Sequence, residues 1–278
     1  MSLSRRRFIS TGFKSLVMIS ASGILESFSA GEYHLPATGK IRLRFAVASD
    51  GHYGQPKTAY EAMHDDMVGW LNREKKGRGL HFSFINGDLL HDDASYLPAV
   101  KERFDRLTMP YYVSHGNHDH VEEAAWQNAF GQPWHYSFQQ KGVPFLVLNT
   151  AEVSGKYTCP DLGWTEKELE RFATAPEVFV FMHITPFKWT DNGIDCPELV
   201  ALLGKHPNVK AIFHGQDHDQ DNVKEHKGKH YFFDSHIGGS WGTDYRGYRI
   251  VEVLKNGSVI SYQKNPLAGK VVNKSGIV

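Results

Sequence analysis

Short apolar runs alternate along the chain with longer segments of helical periodicity, and this pattern predicts an α/β domain. Residues 41–48 alternate and then become fully apolar, which is typical of a strand entering a core. Residues 57–76 carry apolar side chains at helical spacing, and Gly77 and Gly79 end that helix before the apolar run 80–85. The order strand, loop, helix, strand favours a sheet whose strands deliver their polar ends to one edge.

The remaining pattern extends this arrangement. Further helices are predicted at residues 94–107, 122–130, 165–173 and 197–203, the third capped by Thr165 with Glu168 three residues later. Further strands are predicted at 109–114, 134–140, 143–149, 178–182, 209–213, 222–226, 229–233, 248–254 and 258–263, with hairpin turns at Lys141-Gly142, Lys227-Gly228 and Asn256-Gly257. Strands at both ends with helices between them predict two packed sheets with helices outside.

Three segments are predicted along the chain. Residues 1–30 are predicted to be an export signal, because the motif at 4–9 (Ser-Arg-Arg-Arg-Phe-Ile) resembles the twin-arginine signal and the apolar run 16–25 is too short to span a membrane. A general secretory signal and an uncleaved amphipathic anchor remain alternatives. Residues 41–264 form the predicted domain, followed by a C-terminal tail at 265–278. We therefore expect a periplasmic or secreted protein, exported by the twin-arginine machinery, with no stable membrane span after signal cleavage.

The composition limits the kinds of ligand and partner that we expect this protein to bind. Among 278 residues, Lys+Arg and Asp+Glu both number 31, so net charge predicts no nucleic-acid surface. The 16 histidines favour metal chemistry, although a His-rich surface would give the same count. Cys159 and Cys196 are too few for a Cys-based zinc site, and they could form one disulfide or remain two thiols.

Residues suited to metal binding follow five predicted strands. They are Asp50 and His52, Asp88, Asn117, His183, and Gln216 with His218. Carboxylates, imidazoles and amides suit borderline to hard divalent ions, and this set is too large for one tetrahedral zinc. It suits two ions bridged by Asp88 at a separation of about 3.5–4 Å, with a bridging hydroxide as nucleophile. Each motif alone is a weak signal, and His183 alone is better explained as a hydrogen-bonded core histidine, so the prediction depends on the motifs occurring together.

In this order, the motifs Asp50-Gly51-His52, Gly87-Asp88, Gly116-Asn117-His118-Asp119, His183 and Gly215-Gln216-Asp217-His218 resemble those of the calcineurin-like metallophosphoesterase superfamily. The resemblance covers residues 41–264. It implies a four-layer α/β/β/α sandwich of two mixed sheets with flanking helices, and a dinuclear site at the strand ends. It also implies that His118, paired with Asp119, contacts the phosphate and protonates or stabilises the leaving oxygen.

The resemblance also assigns the ligands. Asp50, His52 and His218 would hold one ion, and Asp88 would bridge. The second ion would be held by Asn117, His183 and residue 216. Gln216 departs from the histidine usual in the family, which favours Mn²⁺ or Fe²⁺ over Zn²⁺ at that position.

Several neighbouring residues keep two interpretations. His214 could replace Gln216, because alternation places residues 214, 216 and 218 on one side of an extended backbone. His91 is a candidate substrate contact or a solvated loop residue, and Asp92 and Asp93 are expected to be solvated or to cap a helix. Trp241 could stack on a substrate or pack in the core.

These observations support two hypotheses about function. The first is an exported dinuclear-metal phosphoesterase acting on a small-molecule phosphate ester, with diesters slightly favoured over monoesters because cyclic-nucleotide phosphodiesterases of this superfamily have a similar size and motif layout. The alternative is a non-catalytic metal- and phosphate-binding protein with a degenerate second metal position at Gln216.

Overall fold

The strands and helices follow the predicted order. The computed structural model describes residues 15–19, 25–29 and 40–277, with side chains for 40–269, 271 and 272. The strands are β1 (Ser15–Ile19), β2 (Leu25–Ser29), β3 (Ile41–Ala48), β4 (Phe82–Asn86), β5 (Tyr111–Ser114), β6 (Tyr136–Gln140), β7 (Val143–Leu148), β8 (Val178–Met182), β9 (Val209–His214), β10 (Val223–His226), β11 (Lys229–Phe233), β12 (Tyr248–Leu254), β13 (Val259–Asn265) and β14 (Lys270–Ile277). The helices are α1 (Tyr60–Arg78), α2 (Leu97–Phe104), α3 (Glu123–Phe130), α4 (Leu162–Arg171) and α5 (Pro197–Gly204).

These strands form two mixed sheets. The first has the order β2-β1-β14-β13-β12-β3-β4-β5, and the second has the order β10-β11-β9-β8-β7-β6. Strands β3, β4 and β5 run parallel in the first sheet, and β7, β8, β9 and β11 run parallel in the second. Because the carboxyl ends of parallel strands meet at one edge, each sheet gathers its strand-end loops on one side.

Three apolar layers hold the sheets and helices together. The layer between the sheets is rich in phenylalanine, and Phe45 stacks on Phe82 with ring centroids 4.8 Å apart. A second layer packs Trp70 and Phe104 of α1 and α2 on the outer face of the first sheet, and a third packs Leu169 of α4 on the second sheet. The molecule is therefore the predicted α/β/β/α sandwich.

The helix at 165–173 begins earlier than predicted. Asp161, not Thr165, caps it by accepting a hydrogen bond from Trp164 N at 2.9 Å. Thr165 is buried in the first turn, where its hydroxyl donates to Asp161 O at 2.6 Å. An aspartate is at least as good a cap as threonine, and with this cap the helix begins at Leu162, three residues before Thr165.

The segment predicted as a C-terminal tail is part of the first sheet. Strand β14 pairs antiparallel with β13 after a turn in which Gly269 has φ +63°. The turn at residues 266–269 reverses the chain, so the residues that follow it pair with β13 and do not form a separate tail. Strand β14 also pairs parallel with β1.

Two edge strands fall in the predicted export segment. Strands β1 and β2 pair with each other beyond β14, away from β3, β4 and β5. The twin-arginine-like motif at residues 4–9 lies outside the described residues, and export stays a prediction. Among the described residues, no helix is both long and apolar enough to cross a membrane.

The two cysteines form a disulfide between loops. Cys159 and Cys196 lie 37 residues apart in sequence, with a Cα–Cα distance of 5.9 Å. The bond joins the loop before α4 to the start of α5. Of the two states left open by the sequence, the structure therefore has the bonded one.

Replacing both cysteines, Cys159→Ala with Cys196→Ala, is expected to lower the free energy of unfolding by about 4 kcal/mol. The reason is that the disulfide closes a loop of 37 residues in the unfolded chain. Urea unfolding followed by circular dichroism would measure this difference. Wild-type protein unfolded with a reductant is the control and should match the double variant. An unchanged urea midpoint would show that the bond adds no stability.

Candidate metal centre

The predicted ligands converge where the carboxyl ends of the two sheets face each other. Asp50 and His52 follow β3, Asp88 follows β4, and Asn117 follows β5 in the first sheet. His183 follows β8 of the second sheet, and two further residues, Gln216 and His218, follow β9. Asp50, His52, Asp88, His183 and His218 are each at most 3% exposed. Five separate segments thus meet in one buried cluster.

One group of possible ligands contains Asp50, His52 and His218. Nε2 of His218 lies 3.1 Å from Asp50 Oδ1 and 3.0 Å from His52 Nε2. Nδ1 of His218 donates to the carbonyl of Trp241 at 3.3 Å, so in the neutral ring Nε2 carries the lone pair that can bind a metal. Acceptor atoms aimed at one point in this way can share a cation.

Asp88 lies between that group and a second one. Its Oδ2 is 3.7 Å from His52 Nε2 on one side and 3.2 Å from His183 Nε2 on the other. Its Oδ1 accepts a hydrogen bond from His118 N at 2.9 Å. One oxygen is thus fixed by the backbone, and the other faces both groups, which is the position required of a bridging carboxylate.

The second group contains Asp50, Asp88 and His183. Nδ1 of His183 donates to Asn86 O at 2.7 Å, and its Nε2 lies 3.1 Å from Gln216 Oε1. Asp50 Oδ1 is 3.8 Å from His183 Nε2, so Asp50 belongs to both groups rather than to the first alone. Its contact with both makes the two positions neighbours.

Buried oxygens without hydrogen-bond partners support a metal site here. Asp50 Oδ2 and Asn117 Oδ1 are buried and accept no hydrogen bond within the described chain, and Asp88 Oδ2, also buried, contacts only the ring nitrogens of His183 and His52 among the described side chains. An unpartnered buried carboxylate oxygen is costly, and divalent cations would satisfy all three. The residues therefore fit a pair of metal ions.

The pKa values of the buried side chains at this centre also favour the binding of cations. Burial opposes charge on His183, but the carboxylates of Asp88 and Asp50 outweigh it and raise the pKa of His183 to about 10. Burial lowers the pKa of His52 to about 3, so this ring is neutral and able to bind a metal. Although burial alone would raise it, the pKa of Asp88 is lowered by His183 and His52. A metal ion would replace the proton on His183.

Four of these residues adopt a backbone conformation that is rare outside glycine. Asp50 has φ 59°, His52 has φ 46°, Asp88 has φ 50° and Gln216 has φ 64°. Each such residue costs about 1–3 kcal/mol unless its surroundings compensate, and such residues concentrate at functional sites. The left-handed turns change the direction of the chain directly after each strand and aim the side chains across the sheet edge.

The positive φ of Gln216 also decides between it and His214. The alternation that would place both residues on one side requires extended backbone, which Gln216 interrupts. His214 instead donates through Nδ1 to Met182 O at 3.1 Å and stacks on Tyr231 in the outer layer of the second sheet. Gln216 is therefore the residue that faces the centre.

Asp119 does not pair with His118, contrary to the sequence prediction. Its carboxylate accepts hydrogen bonds from Leu90 N at 2.9 Å and Gly116 N at 2.7 Å, which ties the loop after β5 to the loop after β4. Burial and the nearby Asp88 raise the pKa of Asp119 to about 8. A Cβ at position 116 would overlap the backbone nitrogen of Asp88, so this close approach of the loops requires Gly116.

Asp92 is the carboxylate that contacts His118. Nδ1 of His118 donates to Asp92 Oδ1 at 2.6 Å, and His120 Nε2 lies 3.3 Å from the same oxygen. Asp92 was expected to be solvated or a cap, and its side chain is 54% exposed even though it contacts His118. Asp93 is the residue that caps, accepting a hydrogen bond from Ser95 N at 2.9 Å. The sequence signal for Asp92 was its place four residues after Asp88 in the same strand-end loop.

A partly exposed rim surrounds the buried ligands. The side chains of His118 and His91 are 31% and 18% exposed, and their rings stack with centroids 5.2 Å apart. His91 Nδ1 lies 3.0 Å from His52 Nδ1, so His91 faces the centre. The candidate ligands are therefore buried, and these two imidazoles are the partly exposed side chains beside them.

Trp241 covers one side of the same site. Its ring stacks on His218 with centroids 4.5 Å apart and an interplanar angle of 7°, and the residue is 42% exposed. His236 stacks on His218 with an interplanar angle of 11°. The ring of His218 is thus fixed by aromatic neighbours, and Trp241 belongs to the site rather than to the core.

The loop around Trp241 contains a Gly-x-Ser-x-Gly pattern at residues 238–242, but it is not a nucleophile elbow. An elbow is a sharp turn from a strand into a helix, whereas this loop leads into strand β12. Ser240 is exposed and accepts a hydrogen bond from Gln55 Nε2 at 3.2 Å.

Comparison with known proteins identifies the family. The sequence model of the calcineurin-like phosphoesterase family matches residues 43–220. A probable glycerophosphodiester phosphodiesterase from Arcobacter nitrofigilis is 29% identical over 134 residues, which cover 42% of this chain and 49% of that protein. The match thus spans about half the length of this relative.

Solved structures show the same fold. A dimetal phosphatase from Danio rerio aligns with a TM-score of 0.67 at 12% identity, covering 84% of this chain and 99% of that one. A purple acid phosphatase from yellow lupin seeds aligns with a TM-score of 0.65 at 12% identity, covering 84% of this chain and 53% of that one. With the family match over residues 43–220, they lead to one conclusion: the chain belongs to the calcineurin-like phosphoesterase family.

Proposed function

We propose that this chain is an exported hydrolase of small-molecule phosphate esters that uses two divalent ions and prefers diesters. The observation that carries the proposal is the position of Asp88 Oδ2, which is buried between Nε2 of His52 and Nε2 of His183. A carboxylate oxygen that lies between two imidazole nitrogens in this way can be the ligand shared by the ions of a two-ion site.

Different residues of the chain would bind each metal ion and assist the leaving group. Asp50, His52, Asp88 and His218 would hold one ion, and Asp50, Asp88, Asn117, His183 and Gln216 the other. When bound, the ions supply electrostatic stabilisation of the phosphoryl oxygens and an activated water. His118 Nε2 is free of the Asp92 contact and would donate a hydrogen bond or proton to the leaving oxygen.

The preference for diesters has two supports. The relative from Arcobacter nitrofigilis is named a probable glycerophosphodiester phosphodiesterase. The exposed indole of Trp241 also offers apolar surface beside the ligands, where the second organic substituent of a diester could rest. A monoester has no second substituent to use it.

Export and metal type are parts of the same proposal. The disulfide between Cys159 and Cys196 suits an oxidising compartment, as does the twin-arginine-like motif at residues 4–9. The amide oxygens of Asn117 and Gln216 favour Mn²⁺ or Fe²⁺ over Zn²⁺ at the second position.

Hydrolysis of chromogenic esters tests the activity. We expect the full chain loaded with Mn²⁺ to hydrolyse bis-p-nitrophenyl phosphate with kcat/KM at least about tenfold above that for p-nitrophenyl phosphate, a difference of about 1.4 kcal/mol. The metal-free protein is the control. The reverse ratio would make it a monoesterase. A protein that binds two ions but turns over neither ester would support the non-catalytic alternative.

A further inference from the structure

The side chain of Gln216 is held at both ends of its amide. Its Oε1 lies 3.1 Å from His183 Nε2, and its Nε2 donates to the hydroxyl of Tyr157 at 2.6 Å. The backbone nitrogen of Gln216 donates to Asp50 Oδ1 at 3.1 Å. The oxygen of the amide thus faces the metal centre and the nitrogen faces away from it.

This orientation matters because only one end of an amide can bind a metal. The carbonyl oxygen has lone pairs, whereas the NH₂ group has only donors. An imidazole is a rigid ring, but a glutamine has three rotatable bonds and must be ordered before its oxygen can act as a ligand. A residue that accepts from the NH₂ group would supply that order and leave no buried donor unpaired.

Tyr157 is itself well positioned for this role. Its loop is a small hairpin, with Thr158 N donating to Thr150 O at 2.9 Å and Glu152 N donating to Lys156 O at 2.8 Å. His120 Nδ1 donates to Val153 O at 2.8 Å, and the disulfide begins at Cys159, two residues after the tyrosine. These contacts fix the position of the hydroxyl without involving any of the candidate metal ligands.

We propose that Tyr157 is a positioning residue that fixes the oxygen of Gln216 as a ligand of the second ion. The inference rests on the two-ion site of the proposed function. With Gln216 so ordered, the second position has a single nitrogen, that of His183, and its other donors are the oxygens of Asp50, Asp88, Asn117 and Gln216. The first position instead has two nitrogens, from His52 and His218, so the second is the harder of the two sites.

Titration of the metal-free full chain with Mn²⁺ by calorimetry tests the proposal. Wild-type protein should bind two ions. Tyr157→Phe should keep one site unchanged and raise the dissociation constant of the other by about 10- to 100-fold, as expected for loss of a hydrogen bond behind a ligand. Thr158→Val is the matched control, because its hydroxyl is on the same loop and contacts Cys159 O instead. It should bind both ions like wild type.

Making Tyr157→Phe in a protein that already carries Gln216→Leu distinguishes loss of the contact between Tyr157 and Gln216 from a general loosening of the loop. In Gln216→Leu the second site is already weak, and adding Tyr157→Phe should change the Mn²⁺ dissociation constants by less than about twofold. An equal further loss would overturn the proposal, as would Tyr157→Phe binding both ions like wild type. If wild-type protein itself bound fewer than two ions, the two-ion function would fail first.

Discussion

Replacing Asp88 by asparagine is expected to lower kcat for a phosphodiester by about 10³-fold or more. The change removes the negative charge from Oδ2, the atom that lies 3.7 Å from His52 Nε2 and 3.2 Å from His183 Nε2. Losing a ligand shared by two ions weakens both, and each ion contributes several kcal/mol of transition-state stabilisation. Asparagine retains an oxygen that can still accept from His118 N, so the local backbone should keep its position.

Three measurements would separate this effect from misfolding. Steady-state kinetics at saturating Mn²⁺ gives the loss of turnover, elemental analysis gives the number of ions bound, and circular dichroism reports folding. We expect fewer than two ions in a folded protein. Asp105→Asn is the matched control, because this carboxylate pairs with Lys101 on the surface and should not alter kcat. Full activity in Asp88→Asn would rule out the bridging role.

The order of apolar runs was sufficient to predict most of the architecture. A run such as residues 178–182 has little alternative to a buried strand, and the structure has β8 at those residues. Polar residues directly after such runs must emerge at the sheet edge, which is why Asp50, Asp88 and His183 could be grouped from sequence. The sequence thus predicts which loops meet.

Contacts within those loops could not be predicted in the same way. Asp119 is next to His118 in sequence, yet the chain turns after Gly116 and directs this carboxylate to backbone donors. Asp92 reaches His118 from a different loop, across a sequence separation of 26 residues. Left-handed residues such as Asp50 and Gln216 change side-chain directions where alternation would otherwise predict them. Sequence periodicity carries no information on such turns.

The contact between His118 and Asp92 leads to the second large effect. His118→Gln is expected to lower kcat for a diester with an alkyl leaving group by about 10²- to 10⁴-fold, the contribution of a positioned general acid. The loss should be smaller for a p-nitrophenyl leaving group, because nitrophenolate departs without protonation. A plot of rate against leaving-group acidity, for wild type and variant, measures the difference.

Asp92→Asn should show the same leaving-group dependence with a smaller loss, since Asp92 acts through the imidazole whose Nδ1 it accepts from at 2.6 Å. Asp93→Asn is the matched control on the adjacent residue, which caps the turn at residues 94–96 and should leave the dependence unchanged. Asp119→Asn should instead lower stability, because its amide would face the backbone donors Leu90 N and Gly116 N. If Asp119→Asn altered the leaving-group dependence while Asp92→Asn did not, the pairing inferred from sequence would be the functional one and the assignment of Asp92 would be wrong.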